Sequence, residues 1–214
     1  MTATRPQPAP LIGTCIRLDP LTEADLPALY AAIGHPAVFR WGYGGGLANF
    51  RDTEAGFIEW AKGHYKFETG MPFAVRLIGG PHDGELVGTT TIGDFELERE
   101  AAHIGWTAYD PRVWGTAVNA EAKLLLLAFA FESGFGRVKI QTDVLNARSR
   151  AAIAGLGASF EGVLRREQQR ADGSWRDTAL FSVLIDEWPD VRGTLEARLA
   201  HYGGRPVLYR TRLE

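Results

Sequence analysis

The chain has 214 residues, a formal net charge of −3 and one cysteine, and 45% of its residues are hydrophobic. That length favours one domain with a sizeable core, and the slightly acidic balance gives no basis for a nucleic-acid or anionic-membrane partner. A single thiol, Cys15, excludes an intrachain disulfide framework and any multi-cysteine metal site, and no apolar run is long enough to span a bilayer.

The first residues lack the basic-then-apolar order of a secretory signal, so residues 1–13 read as a flexible lead-in and the chain as a cytoplasmic protein. A single domain is expected over residues 14–202, with a tail over 203–214. Cys15 to Leu18 form the first expected strand, in which the thiol reads as a buried side chain. Thr22 is a helix N-cap with acids in the first turn, and Leu26, Leu29, Tyr30 and Ile33 recur at helical spacing up to Gly34. The loop Trp41–Gly46 holds two aromatics among glycines; it reads as a substrate-covering flap or as a plain connector. Asp52 caps a second helix whose apolar face is Phe57, Trp60, Ala61 and Tyr65.

Strands follow at Phe73–Leu77, Leu86–Phe95 and Ala101–Tyr109. The first two are separated by the turn cluster Gly79–Gly84, and the three form an antiparallel meander. An apolar run from Val118 to Ser133, rich in helix formers, ends at Gly134. The next strand, Arg137–Thr142, is reached by that helical crossover and therefore runs parallel to Ala101–Tyr109. A short helix at Ala147–Leu156 precedes a hairpin, Ser159–Gln169 and Asp177–Ile185, that turns at Ala171-Asp172-Gly173. A helix over Glu187–Tyr202, with the stripe Trp188, Val191, Leu195 and Leu199, completes the domain. The fold class is α+β, a mixed sheet flanked by helices.

The stretch from Arg99 to Gly134 carries the clearest chemistry: a strand, a turn of small residues and a helix N-terminus. Free N–H groups and the helix dipole make such a junction an anion site, and Arg112 adds a cation suited to phosphate. The pattern Arg112-x-x-Gly115-x-Ala117 resembles the pyrophosphate motif of the GCN5-related N-acetyltransferases (GNAT), and the order of elements matches that fold. Ile104-Gly105-Trp106, Asn119-Ala-Glu-Ala-Lys-Leu-Leu-Leu, Thr142-Asp143 with Asn146-x-Arg148-Ser149, and Phe160-Glu161-Gly162 are similar to the RimJ/RimL-type branch. The resemblance covers about Thr14 to Ala200. It implies an N-acetyltransferase that takes acetyl-CoA as cosubstrate, an amine as acceptor and no metal. A homodimer through the C-terminal hairpin and helix is compatible with it.

The resemblance also implies site residues. Val113, Trp114, Gly115, Thr116, Ala117, Val118 and Asn119 would hold the pyrophosphate with backbone N–H groups, beside Arg112. Pantetheine would lie in a gap between Trp106–Tyr109 and the strand ending at Thr142-Asp143, paired with main-chain groups of Thr107 and Tyr109. Asn146 would contact the cofactor and Ser149 would protonate or position the departing thiolate, although both residue types also suit plain helix capping. Arg148 reads as a phosphate contact or a solvated side chain. His103 stands where relatives carry a glutamate and can relay the amine proton, unless it lies on a solvated face. Asp94 and Glu96 are other proton acceptors. The acceptor pocket is expected from Trp41, Tyr43, Trp60, His64 and Gln168; a glutamine at 168 cannot be a base, which weighs against ribosomal-protein specificity. Two other readings share the fold or the chain: an acyl-CoA sensor or a transferase of another acyl group, and a non-catalytic interaction module.

Overall fold

One eight-stranded sheet is covered on both faces by helices, so its central strands are buried nearly throughout. A computed structural model of the chain describes residues 3–210. The strands are β1 (Leu11–Ile12), β2 (Ile16–Pro20), β3 (Met71–Leu77), β4 (Leu86–Glu96), β5 (Ala101–Tyr109), β6 (Arg137–Asp143), β7 (Ser159–Gln169) and β8 (Trp175–Leu184). The helices are α1 (Leu26–Ile33), α2 (Pro36–Phe39), α3 (Glu54–His64), α4 (Val118–Glu132), α5 (Ala147–Ala154) and α6 (Trp188–His201). The spatial order of the strands is β1-β2-β3-β4-β5-β6-β8-β7. Every neighbouring pair is antiparallel except β5 and β6, which run parallel because α4 crosses over between them.

Two hydrophobic cores follow from the pleat. Ile16, Phe73, Ile92 and Ile104 face α4 and α6, where Leu126, Leu127, Ala130 and Leu195 meet them. Ala74 and Ala108 face the opposite layer, where Leu29 and Ile33 of α1 and Phe57 and Ala61 of α3 are buried. Successive strand side chains point to opposite faces, so each strand serves both cores.

The expected elements are present with shifted ends. The cap of α3 is Thr53, not Asp52: the Thr53 hydroxyl accepts from the Gly56 N–H, the usual N-cap bond. The first turn after Thr22 is a 3₁₀ turn closed by the Asp25 carboxylate on the Thr22 N–H, and α1 proper starts at Leu26. The boundaries drawn at residues 13 and 202 fall inside packed chain. Leu11 and Ile12 pair with Leu18 and Arg17, Ala3 is buried in the larger core, and so is Val207 beyond α6. Among the described residues no helix is long and apolar enough to cross a membrane.

Glu121 locks the N-terminal strand to α4. Its carboxylate, 3% exposed, accepts the N–H groups of Thr14 at 2.6 Å and of Cys15 and Ile16 at 2.8 Å. Removing that acceptor leaves three donors without a partner at the start of β2, which costs far more than the net worth of one hydrogen bond. Urea denaturation of Glu121→Ala is therefore expected to show a loss of at least about 3 kcal/mol, with Glu121→Gln losing roughly half as much because one oxygen remains. A loss under about 1 kcal/mol for the alanine variant contradicts this reading.

Candidate active site

The opening in the sheet lies where β5 and β6 stop pairing. Their register runs from Ala101↔Arg137 to Ile104↔Ile140 and ends there, although β5 continues along β4 to Tyr109 and β6 along β8 to Asp143. Trp106 explains the bend. It sits at φ 47°, and between the pairs Thr91↔Gly105 and Thr89↔Ala108 the β5 strand holds one residue more than β4. Such a bulge turns the strand and leaves its outer edge without a neighbour. The Tyr109 carbonyl, one of the main-chain groups expected to face the cofactor, accepts from the Trp114 indole N–H at 3.0 Å.

At the mouth of this opening the chain turns through Asp110–Ala117 into α4. Asp110 is buried and accepts from the Arg112 N–H at 2.8 Å, and the Val113, Trp114 and Thr116 N–H groups close short turns onto Asp110, Pro111 and Val113. The Val118 N–H donates to the Thr116 hydroxyl at 3.4 Å. Four of the expected N–H donors are thus spent within the turn, because a 3₁₀ turn satisfies itself. Among the described residues the N–H groups of Gly115, Ala117, Asn119 and Ala120 carry no hydrogen bond. Gly115 takes φ +70°, a conformation that L side chains rarely adopt. Unlike α3 and α5, α4 has no side-chain cap at its start. A long helix that begins with free donors is a place for an anion. Arg112 is less available than expected: its Nε and Nη2 both reach the Asp110 carboxylate, at 3.0 and 2.6 Å.

The far side of the opening is the start of α5. Asn146 is a cap, accepting from the Ser149 N–H at 2.9 Å while its amide donates to the Trp41 carbonyl at 2.9 Å. The Ser149 hydroxyl has no hydrogen bond among the described residues. Arg148 is not simply solvated: its guanidinium stacks on Trp114 with Cζ 3.6 Å from the ring centroid, joining the two sides of the opening.

His103 is 3% exposed, which overturns the solvated-face alternative. Its Nδ1 lies 2.9 Å from Asp94 Oδ2. An ionised carboxylate only accepts, so Nδ1 carries the proton and Nε2 keeps its lone pair. Burial pushes this imidazole below the ordinary histidine range, opposed by Asp94, and the bond from His103 holds the Asp94 carboxyl below the usual carboxylate range. His103 Nε2 is buried without a partner, and it lies 2.8 Å from where a Cβ on Gly105 would stand. Only glycine at 105 leaves room for the ring there. The free lone pair therefore rests beside the bulge where β5 and β6 part. Thr107 turns to the other face, where its hydroxyl accepts from the buried Lys123 at 2.8 Å.

The α3 side of the sheet gathers four of the five expected acceptor residues. Trp60 and His64 stack at 4.3 Å, Tyr43 meets both rings edge-on, and the Tyr43 and Tyr65 hydroxyls lie 2.6 Å apart. Trp41 is half exposed on the adjoining loop. The loop is tied rather than loose: Asn49 donates to the Gly44 carbonyl, and Gly45 accepts from Ala171 at the tip of the β7–β8 hairpin. Gln168 sits apart on exposed β7, where its carbonyl accepts from Arg176 at 3.2 Å.

The chain matches the acetyltransferase (GNAT) domain over residues 16–159. It belongs to the GCN5-related N-acetyltransferase family. A Thermus thermophilus protein assigned as an acetyltransferase is 35% identical, with 92% of this chain and 100% of that chain covered and a TM-score of 0.79. A GCN5-related N-acetyltransferase of Brucella melitensis is 26% identical over 92% of this chain and 87% of that one, with a TM-score of 0.81. RimJ of Mycobacterium smegmatis, solved with CoA-disulfide, shares the fold at 24% identity and a TM-score of 0.68, covering 89% and 93%. No curated protein matches the sequence. The chain is an N-acetyltransferase of the GNAT fold, and the family uses acetyl-CoA. The free N–H groups at Gly115–Ala120 fit a diphosphate, and the unpaired strand edges fit an amide-bearing chain.

Three groups were not read from the sequence: the Asp94–His103 pairing, and the buried charges Glu121 and Lys123 on an otherwise apolar helix. The signal for the first was an aspartate directly after Gly93, a residue type that tolerates the left-handed backbone Asp94 adopts at φ 48°.

His64 gives this side of the site a pH signature. Burial pushes its imidazole from the ordinary 6.5 down to about 4, with Lys66 adding to the shift. The unfolded chain takes up this proton first as pH falls, so the stability is complete above about pH 6.5 and is lost on the way to pH 4. Denaturation across that window is expected to show His64→Phe losing on the order of 2 kcal/mol less than the parent chain. Parallel curves for the two proteins contradict it.

Proposed function

We propose that this enzyme acetylates a primary amine, at a peptide or protein N-terminus or on a small molecule, by direct attack within a ternary complex, and that it belongs to the RimJ/RimL-type branch. The observation that carries the reading is the buried Asp94–His103 pair, whose free Nε2 lies against Gly105 at the point where the sheet opens. Acetyl-CoA supplies the acetyl group as a thioester. The chain's own residues supply the rest.

The free N–H groups of Gly115, Ala117, Asn119 and Ala120 hold the diphosphate, and the edge of β5 beyond the bulge orients the arm that bears the thioester. His103 Nε2 takes the proton that the amine sheds as its nitrogen bonds to the carbonyl carbon, directly or through one water. Asp94 fixes the tautomer that makes this possible and stabilises the imidazolium that results. The Ser149 hydroxyl, at the start of α5, gives a proton to the thiolate as the carbon–sulfur bond breaks, and is reprotonated from solvent. A main-chain N–H of the bulge faces the oxyanion. The aromatic group Trp41, Tyr43, Trp60 and His64 favours an acceptor with an apolar or aromatic part next to its amine. Gln168, on the exposed hairpin and bonded to Arg176, keeps ribosomal-protein specificity out of the reading.

Free-thiol release with peptide, amino-acid and drug-like amines tests the reading. An amine that gives turnover is expected to show His103→Asn slowed by about a hundredfold at pH 7, and Asp94→Asn by a smaller factor. The acid limb of kcat/KM is expected below pH 6.5, because burial makes protonation of His103 harder. Full activity of His103→Asn, or no thiol release from any amine, overturns the mechanism or the acceptor class respectively.

A further inference from the structure

The segment that follows α6 runs back to the diphosphate turn and lays a second arginine on it. Pro206 packs on Gly80 of the β3–β4 turn, and Val207 is buried in the larger core. The Tyr209 ring lies 3.8 Å from His82, and its hydroxyl bonds Glu85. Arg112 also stacks on that ring, with Cζ 4.0 Å from its centroid. The Arg210 N–H donates to the Arg112 carbonyl at 2.9 Å, which fixes the end of the segment beside the turn. The Arg210 guanidinium then lies over Gly115, with Nη1 3.1 Å from where a Cβ would stand. From α6 itself, the Tyr202 hydroxyl reaches the Gly115 carbonyl at 3.4 Å.

The charges at the turn are unevenly matched. Arg112, the cation that the family motif offers, is held by a buried aspartate and by Tyr209, so its charge is already answered. Among the described residues no ion pair engages Arg210. It sits on the one residue of the turn with a positive φ, next to the unpaired N–H groups of Gly115 and Ala117. A diphosphate bound by neutral amides alone keeps most of its charge, and a guanidinium at that distance supplies the counter-charge and two parallel donors.

We propose that the C-terminal segment 203–210 is part of the acyl-CoA site, and that Arg210, rather than Arg112, is the arginine that binds the diphosphate. Arg112 acts as its support, holding Tyr209 and the backbone of Arg210 in place. The proposal rests on the acetyl-CoA reading of the turn, and the test separates the two.

Calorimetric titration of the full chain with acetyl-CoA is compared for wild type, Arg210→Gln and Arg210→Lys, alongside turnover with acetyl-CoA and with acetyl-pantetheine, a donor without the diphosphate. Arg210→Gln is expected to weaken acetyl-CoA binding about tenfold and to lower the preference for acetyl-CoA over acetyl-pantetheine by a similar factor, with Arg210→Lys falling between. Wild-type binding with an unchanged or tighter Kd in Arg210→Gln overturns the assignment and leaves the acetyl-CoA reading intact. A tighter Kd identifies the segment as a plug. A wild-type chain that binds no acetyl-CoA overturns both. Circular dichroism of the variants separates lost binding from lost folding.

Discussion

Everything in the site depends on two strands that pair for four residues and then part. β5 follows β4 around the bulge at Trp106, while β6 stays flat against β8 through Asp143↔Thr178. The sheet is thus two half-sheets hinged at Ile104↔Ile140, with an opening whose edges are polar backbone. In most proteins such edges are a liability. Here side chains cover part of the β5 edge. The Trp114 indole covers the Tyr109 carbonyl, and Arg148 stacks on that indole from the α5 side.

The helix that leaves the Asp110–Ala117 turn holds the geometry by burying charge. Glu121 clamps the N–H groups at the start of β2, and Lys123, two residues on, donates to the hydroxyls of Thr90 and Thr107 at 3.2 and 2.8 Å. No carboxylate partners this lysine among the described residues, and burial alone pushes its amine down to about 7. A leucine would pack there at less cost in desolvation. What the amine adds is a fixed position: it ties the second turn of α4 to the bulged part of β5. Thr107 is the link, with its hydroxyl on Lys123 and its backbone in the strand that lines the opening.

Much of this was legible in the chain, and for physical reasons. Alternation with aromatic and β-branched residues marked β5, and the run of helix formers from Asn119 onward marked α4, whose crossover fixed the parallel pair. The strand–turn–helix with Gly115 is present as expected and carried the family resemblance. What stayed hidden depends on contacts far apart in sequence. His103 and Asp94 each read as a possible proton acceptor, but their pairing does not show until a second bulge between Gly93 and Glu96 brings the two side chains to 2.9 Å. The turn amides looked interchangeable, yet four of the six from Val113 to Val118 are spent internally, which depends on how tightly the turn closes. Arg112 fitted its motif, but the side chain beside it, Asp110, decides where its charge goes. The residues after Tyr202 were expected to be a tail, and Gly203 and Gly204 look like its start. They instead make the turn that sends Val207 into the core.

The central claim is that the free amides at the start of α4 and the unpaired edge of β5 form one binding surface for acetyl-CoA. Amide-resolved NMR during a titration with acetyl-CoA tests it directly. The largest shifts are expected at Gly115, Ala117, Asn119, Ala120 and the Gly105–Tyr109 segment, together with slowed hydrogen exchange at those four donors. The internally bonded Val113 and Trp114 amides would change less. Shifts confined to other surfaces, with these amides unchanged at saturation, would contradict it.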